Sequence, residues 1–137
     1  MNPFRSLRDY ELFVYSLPGR FGQVAHSTLT VHQRGRYHAE LAGEIHLHNG
    51  NRLSVYERLA WENDGPLTVV GYSYEVWSGD RELYWYDSQP HPGDPSLAAS
   101  HPHHKHVPPE IKHHRLPAPA LSFDHPNMEF LIDEASR

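Results

Sequence analysis

Apolar and polar residues change their rhythm three times along this chain. In the first stretch Phe4, Leu7, Glu11 and Val14 recur at helical spacing, which predicts a short helix over Leu7–Tyr15. Tyr10, Leu12 and Val14 also alternate, so a strand competes with that helix, and Pro18-Gly19 stops either one. From Ser27 to Asp87 the period becomes two. Leu29 and Val31, then Leu41, Ile45 and Leu47, alternate with polar neighbours. His48-Asn49-Gly50-Asn51 carries the Asn-Gly hairpin signal. Leu53, Val55, Glu57 and Leu59 mark the returning strand, with Tyr56 and Trp61 offset from them. Asn63-Asp64-Gly65-Pro66 turns the chain again. Val70, Tyr72, Tyr74 and Val76 alternate next, Ser78-Gly79-Asp80 makes a third turn, and Glu82–Asp87 returns.

Consecutive strands joined by short turns make an antiparallel meander. One face packs on helices and the other is left for solvent or ligand. After Asp87 prolines crowd in, at 90, 92, 95, 102, 108, 109, 117, 119 and 126. Proline cannot donate to a ladder and blocks helix interiors, so residues 88–126 read as a long ordered loop, anchored by Leu97, Val107, Ile111, Leu116, Leu121 and Phe123. A short helix, Met128–Ala135, closes the chain, with Asn127 as N-cap and Phe130 and Leu131 facing inward. The expectation is one α+β domain over residues 1–137. It has an N-terminal helical or irregular part (1–26), an antiparallel sheet of about five strands (27–87), a His/Pro-rich loop (88–126) and a C-terminal helix (127–137).

Composition narrows the chemistry. The chain has no cysteine, so disulfides and thiolate metal sites are excluded. No run approaches the ~18 apolar residues of a membrane span and the start lacks a signal-peptide core, which predicts a soluble cytoplasmic protein without membrane contact. The net charge of −5 argues against coating of nucleic acid. It leaves room for a local basic site on an acidic body.

That local site is conspicuous. Eight of the thirteen histidines lie between His91 and His125, and six fall within HPHHKHVPPEIKHHR, residues 101–115. The same stretch holds both lysines, Lys105 and Lys112, with Arg115. Imidazole is the side chain suited both to proton transfer near neutral pH and to metal ligation. His101, His103 and His106 share the frame of an H-x-H-x-D-H metal motif, but Lys105 stands where that motif needs Asp. A zinc or manganese site from His101 and His103 with Asp87 remains chemically open, with His104 and Asp94 as substitutes. Metal-free cleavage of a phosphodiester fits the residue types better. Two imidazoles would move protons, a cation would hold the phosphorane, and aromatic rings would stack on bases.

In that reading His103 and His106 are the proton-transfer pair, Lys105 holds phosphate and His104 is a second donor. Asp87 and Tyr74 orient the histidines, and Lys112, Arg115, Tyr86 and His91 contact substrate. The bland alternative is a solvated loop, which suits His113 and His114 best. His26, His32, His38, His46 and His48 occupy polar positions of the sheet and read as exposed. Glu40, Glu44, Glu57 and Glu75 read as salt-bridge partners or, less simply, a carboxylate cluster.

GYSYEVW (71–77), LYWYDSQPHP (83–92) and HPHHKHVPPEIKHHRLPAP (101–119) resemble the TumE-like proteins. The family pattern Y-S-Y, then Y-D, P-H and P-H-H-K-H is matched in order at Tyr72-Ser73-Tyr74, Tyr86-Asp87, Pro90-His91 and Pro102–His106. The resemblance covers about half the chain. It implies the toxin half of a toxin–antitoxin pair, with an antitoxin encoded nearby as partner. Joined to the residue chemistry, it gives the expectation of a metal-independent ribonuclease acting on RNA, possible as a homodimer. A metal-dependent nuclease or phosphotransferase, or a non-enzymatic RNA- or partner-binding module, are the alternatives.

Overall fold

In a computed structural model, which describes residues 2–137, the expected helix forms with the expected ends: α1 spans Leu7–Tyr15. Ser6 caps it, its hydroxyl accepting the Asp9 amide at 3.1 Å. Pro18 does not end helical structure. It sits in the first turn of a one-turn helix α2, Leu17–Arg20, where a missing amide costs nothing.

Eight strands follow, more than the five expected. They are β1 (Val24–Ser27), β2 (Thr30–Gln33), β3 (His38–Leu47), β4 (Asn51–Ala60), β5 (Thr68–Ser78), β6 (Arg81–Asp87), β7 (His104–His106) and β8 (Arg115–Pro117). All pairs are antiparallel, in the order β1-β3-β4-β5-β6-β7-β8, with β2 also on β3. β1 and β2 share β3 because the chain crosses over Gly43 between them. That glycine has φ +139°, and a Cβ there would stand 2.6 Å from the Thr28 carbonyl oxygen. The three turns expected from Asn-Gly, Asn-Asp-Gly-Pro and Ser-Gly-Asp join β3 to β4, β4 to β5 and β5 to β6.

The region read as one long loop, 88–126, is where the expectation fails. It contains β7 and β8, which extend the sheet beyond β6. Pro102, Pro108 and Pro109 bound β7 and do not interrupt it, and Pro117 takes the final position of the edge strand, where proline is tolerated.

Leu41, Ile45, Leu53, Val55, Leu59, Val69, Tyr74 and Val76 form the sheet's share of the core, and Phe4, Tyr10, Val14 and Leu17 close it from the N-terminal side. The last helix, α3 (Met128–Ala135), adds Met128, Leu131, Ile132 and Ala135. Asn127 precedes α3, but its side chain does not cap it. It accepts from Ser122 and donates to the Tyr74 hydroxyl, each at 3.0 Å, inside the core. Among the described residues α1, α2 and α3 all bury their apolar side chains in this one core, which leaves the opposite face of the sheet without an α-helix. No helix among the described residues is long and apolar enough to cross a membrane.

Candidate functional site

β7 is only His104-Lys105-His106, yet its alternation decides the site. Residues i and i+2 of a strand share a face. His104 therefore lies opposite Asp87 and His106 opposite Trp85, on the helix-free face, while Lys105 lies opposite Tyr86 on the other. On the helix-free face three groups converge. His104 Nε2 is 2.8 Å from Asp87 Oδ1, His106 Nε2 is 3.3 Å from Asp87 Oδ2, and the two Nε2 atoms are 3.0 Å apart.

The outer nitrogens are held by backbone. His104 Nδ1 is 3.0 Å from the Pro102 carbonyl oxygen and His106 Nδ1 is 2.8 Å from that of Ile111. A carbonyl only accepts, so both Nδ1 atoms carry hydrogen and both Nε2 atoms face the carboxylate. The carboxylate is oriented in turn by the Gln89 amide at 2.9 Å and the Trp85 indole N–H at 3.1 Å. Burial works against charge on His104, but the hydrogen bonds to Asp87 and Pro102 outweigh it and raise its pKa. Burial lowers that of His106. Burial alone would raise the Asp87 pKa, yet His104 and the Gln89 amide hold it below the usual range.

The imidazoles are enclosed, with side-chain exposures of 1 % and 4 %, whereas Asp87 keeps 19 %. His91 packs edge-on against His104, 4.8 Å between centroids, and Trp85 lies 4.3 Å from His106. Arg115 faces His106 across β8, and its Nε is buried with no hydrogen-bond partner. Asp87 also lines a cleft of about 610 Å³ shared with Tyr56, Arg58, Tyr72, Ser88, Pro90 and Phe123. Arg58 is exposed and makes no ion pair among the described residues. Its guanidinium lies against Gly71, where a Cβ would collide with it, so the glycine leaves the arginine its room.

The expected residues are thus only partly gathered. Asp87, His104, His106, Arg115 and His91 come together. His103 does not face His106: its Nδ1 is 2.6 Å from the Tyr72 hydroxyl and its ring packs on Tyr72 and Phe123. Lys105 is on the helix side, 3.2 Å from Glu134 and over the Tyr84 ring. Tyr86 donates to the same Glu134 at 2.9 Å and is buried rather than available for stacking. Tyr74 is buried against Glu57 and Asn127. His101 and Lys112 are exposed and lie outside the group. Among the described residues, Asp87, His104 and His106 are the ligand-type side chains that lie within reach of one another, where sequence reasoning groups Asp87 with His101 and His103.

Sequence reasoning missed Arg58 and the cleft. The signal was there: Tyr56 and Arg58 alternate with buried Val55, Glu57 and Leu59, which places both on the helix-free face. The outlying histidines behave as expected. His26, His32, His38, His48, His113 and His114 are exposed, and only His46 is half-buried, stacked on His26.

A family model described as Toxin TumE matches residues 15–135 of the 137. No curated protein and no solved structure matches the chain.

Proposed function

The chain belongs to the toxin TumE family, and we propose that it is a toxin that cleaves RNA at the Asp87–His104–His106 centre. The supporting observation is that Asp87 belongs to both the centre and the cleft, so a strand lying in the cleft presents its backbone to the centre. Arg58 and Arg115, both without carboxylate partners, supply phosphate contacts. Tyr56 on the open face offers a ring for a base.

Two imidazoles exchanging protons on opposite sides of a phosphate must stand a phosphate apart. Nε2 atoms at 3.0 Å do not. The centre therefore acts as one unit that takes the proton of the attacking oxygen. The leaving oxygen takes its proton from water as the P–O bond breaks, and Arg115 stabilises the negative charge that develops on the phosphoryl oxygens. The antitoxin implied by the family would neutralise such a site by covering the cleft.

The test is cleavage of end-labelled RNA by the pure protein, with Asp87→Asn and Lys112→Ala beside it. Cleavage lost with Asp87→Asn and kept with Lys112→Ala is expected. RNA that is bound and never cut sinks the reading. The deep enclosure of both imidazoles favours one other reading, in which the cluster only pins the flanking loops and the chain acts by binding. In that case Asp87→Asn lowers the melting temperature and leaves RNA retention on a filter unchanged.

A further inference from the structure

We propose that Asp87, His104 and His106 form the binding site of a single divalent transition-metal ion of the zinc type, held by one carboxylate oxygen and two Nε2 atoms. The inference rests on the same reactive centre as the reading above, but its argument is ligand geometry and does not require RNA as substrate.

Both Nδ1 atoms are committed as donors to the Pro102 and Ile111 carbonyls, so each neutral imidazole turns its Nε2 lone pair inward. Two lone pairs and a carboxylate then face one another at 2.8, 3.0 and 3.3 Å. Acceptors at those separations repel unless a cation lies among them. A proton on His104 Nε2 relieves its contact with one neighbour and leaves His106 facing Asp87. An ion satisfies all three contacts.

The spacing fits. Ligands at about 2.0–2.2 Å from one ion stand about 2.8–3.5 Å from each other, across octahedral to tetrahedral angles. The surroundings also fit. Ligating histidines characteristically donate their second N–H to a carbonyl or carboxylate, and ligating carboxylates are themselves hydrogen-bonded. Both conditions hold here, the latter through Gln89 and Trp85.

The donor set selects the class of ion. Without a thiolate, two imidazoles and one carboxylate suit zinc and neighbouring divalent metals better than calcium or magnesium, which take oxygen ligands. Three protein ligands leave positions for water or a phosphate oxygen, the composition of catalytic rather than structural zinc sites. Asp87, the most exposed of the three, puts the open side toward the cleft.

The test uses the full chain stripped by a chelator, with circular dichroism to show that it stays folded. Zn²⁺ is titrated calorimetrically, and Co²⁺ is followed by visible absorption as a spectroscopic stand-in. One ion per chain is expected, with the histidine Nε2 nitrogen-15 resonances of two residues shifting on Zn²⁺ addition in the unmutated protein. Asp87→Asn, His104→Ala and His106→Ala should each weaken binding by about 100-fold or more, because even outer-shell partners are worth about 10–100-fold. His101→Ala and His103→Ala should leave it unchanged. A folded chain that takes up no Zn²⁺, or that binds it equally after His106→Ala, overturns the proposal. The nitrogen-15 experiment decides the matter if a variant fails to fold. Zn²⁺ binding without RNA cleavage upholds the metal site and removes the RNA reading. Chelator-resistant cleavage by a chain that binds no Zn²⁺ does the reverse.

Discussion

Two carboxylates, one buried and one half-buried, sit on opposite faces of the same sheet, and they have opposite fates. Glu57, on β4, points into the core and is wholly enclosed. Tyr10 donates to one of its oxygens at 2.6 Å and Tyr74 donates to the other. Burial raises its pKa, partly offset by those two bonds. Asp87, on β6, has imidazole partners, a lowered pKa and an edge on a cleft. Both groups are perturbed and both are buried in large part. What separates them is the kind of partner and the presence of an opening. Hydroxyl donors meet both oxygens of Glu57, and full enclosure leaves no opening for a ligand. The partners of Asp87 turn ring nitrogens toward it, and the proposed ion would sit among the three groups. Perturbation alone thus marks a candidate, and convergence beside an opening marks a site.

That contrast can be broken from either side. The largest effect is expected from Asp87→Asn, which should cut RNA turnover by about 10²–10³-fold, the scale of losing a principal group in a catalytic centre. Its melting temperature should move little, and single-turnover cleavage beside a thermal melt separates the two. Next comes Tyr74→Phe. It strips Glu57 of one donor and Asn127 of one of its two acceptors, and should cost about 1–3 kcal/mol in urea unfolding while RNA cleavage per folded molecule is unchanged.

A third test uses pH. The folded Glu57 holds its proton over a range where the unfolded chain, near 4.5, has lost it. The contribution of Glu57 to stability is therefore greatest below the unfolded pKa and declines as pH rises towards the folded one. Glu57→Gln should flatten that decline, and a stability–pH profile with the same slope in both proteins would refute the assignment. The smallest effect is expected from Arg58→Ala. It should weaken RNA binding about 5–10-fold in a salt-dependent manner, as loss of a phosphate contact does, with the rate at saturating RNA retained.

Much of this architecture was legible in the residues. Ser6, Leu7 and Val14 define α1, and the glycine turns fix the hairpins, because helix spacing, caps and turn residues are local signals. Glu57 stands in the apolar frame of Leu53, Val55 and Leu59, so period two implies its burial, although sequence reasoning assigns it a salt bridge and the structure gives it two tyrosine hydroxyls. β7 was not legible, because three residues between prolines are too few to show a period, and its existence depends on the free edge of β6. The site suffered from that gap. Pairing His103 with His106 assumed a loop in which any neighbour can meet. On a strand, only the even separation from 104 to 106 brings two imidazoles to one side. The part of Arg58 was hidden for a different reason, since a cleft between distant segments such as Tyr56, Ser88 and Phe123 has no local signature.

The parity of β7 also governs which changes in chain length this protein can inherit. The tripeptide alternates chemistry with anchorage, since Lys105 ties it to Glu134 of α3 while its neighbours face Asp87. Insertions and deletions in the exposed stretches around Gly93 or Glu110 leave that alternation alone. A single residue gained or lost within 104–106 would exchange the roles. Asp87 would then meet an ammonium group in place of two imidazoles, making a plain ion pair. Such a descendant would lack the proposed centre, so a single codon separates it from a relative that carries one.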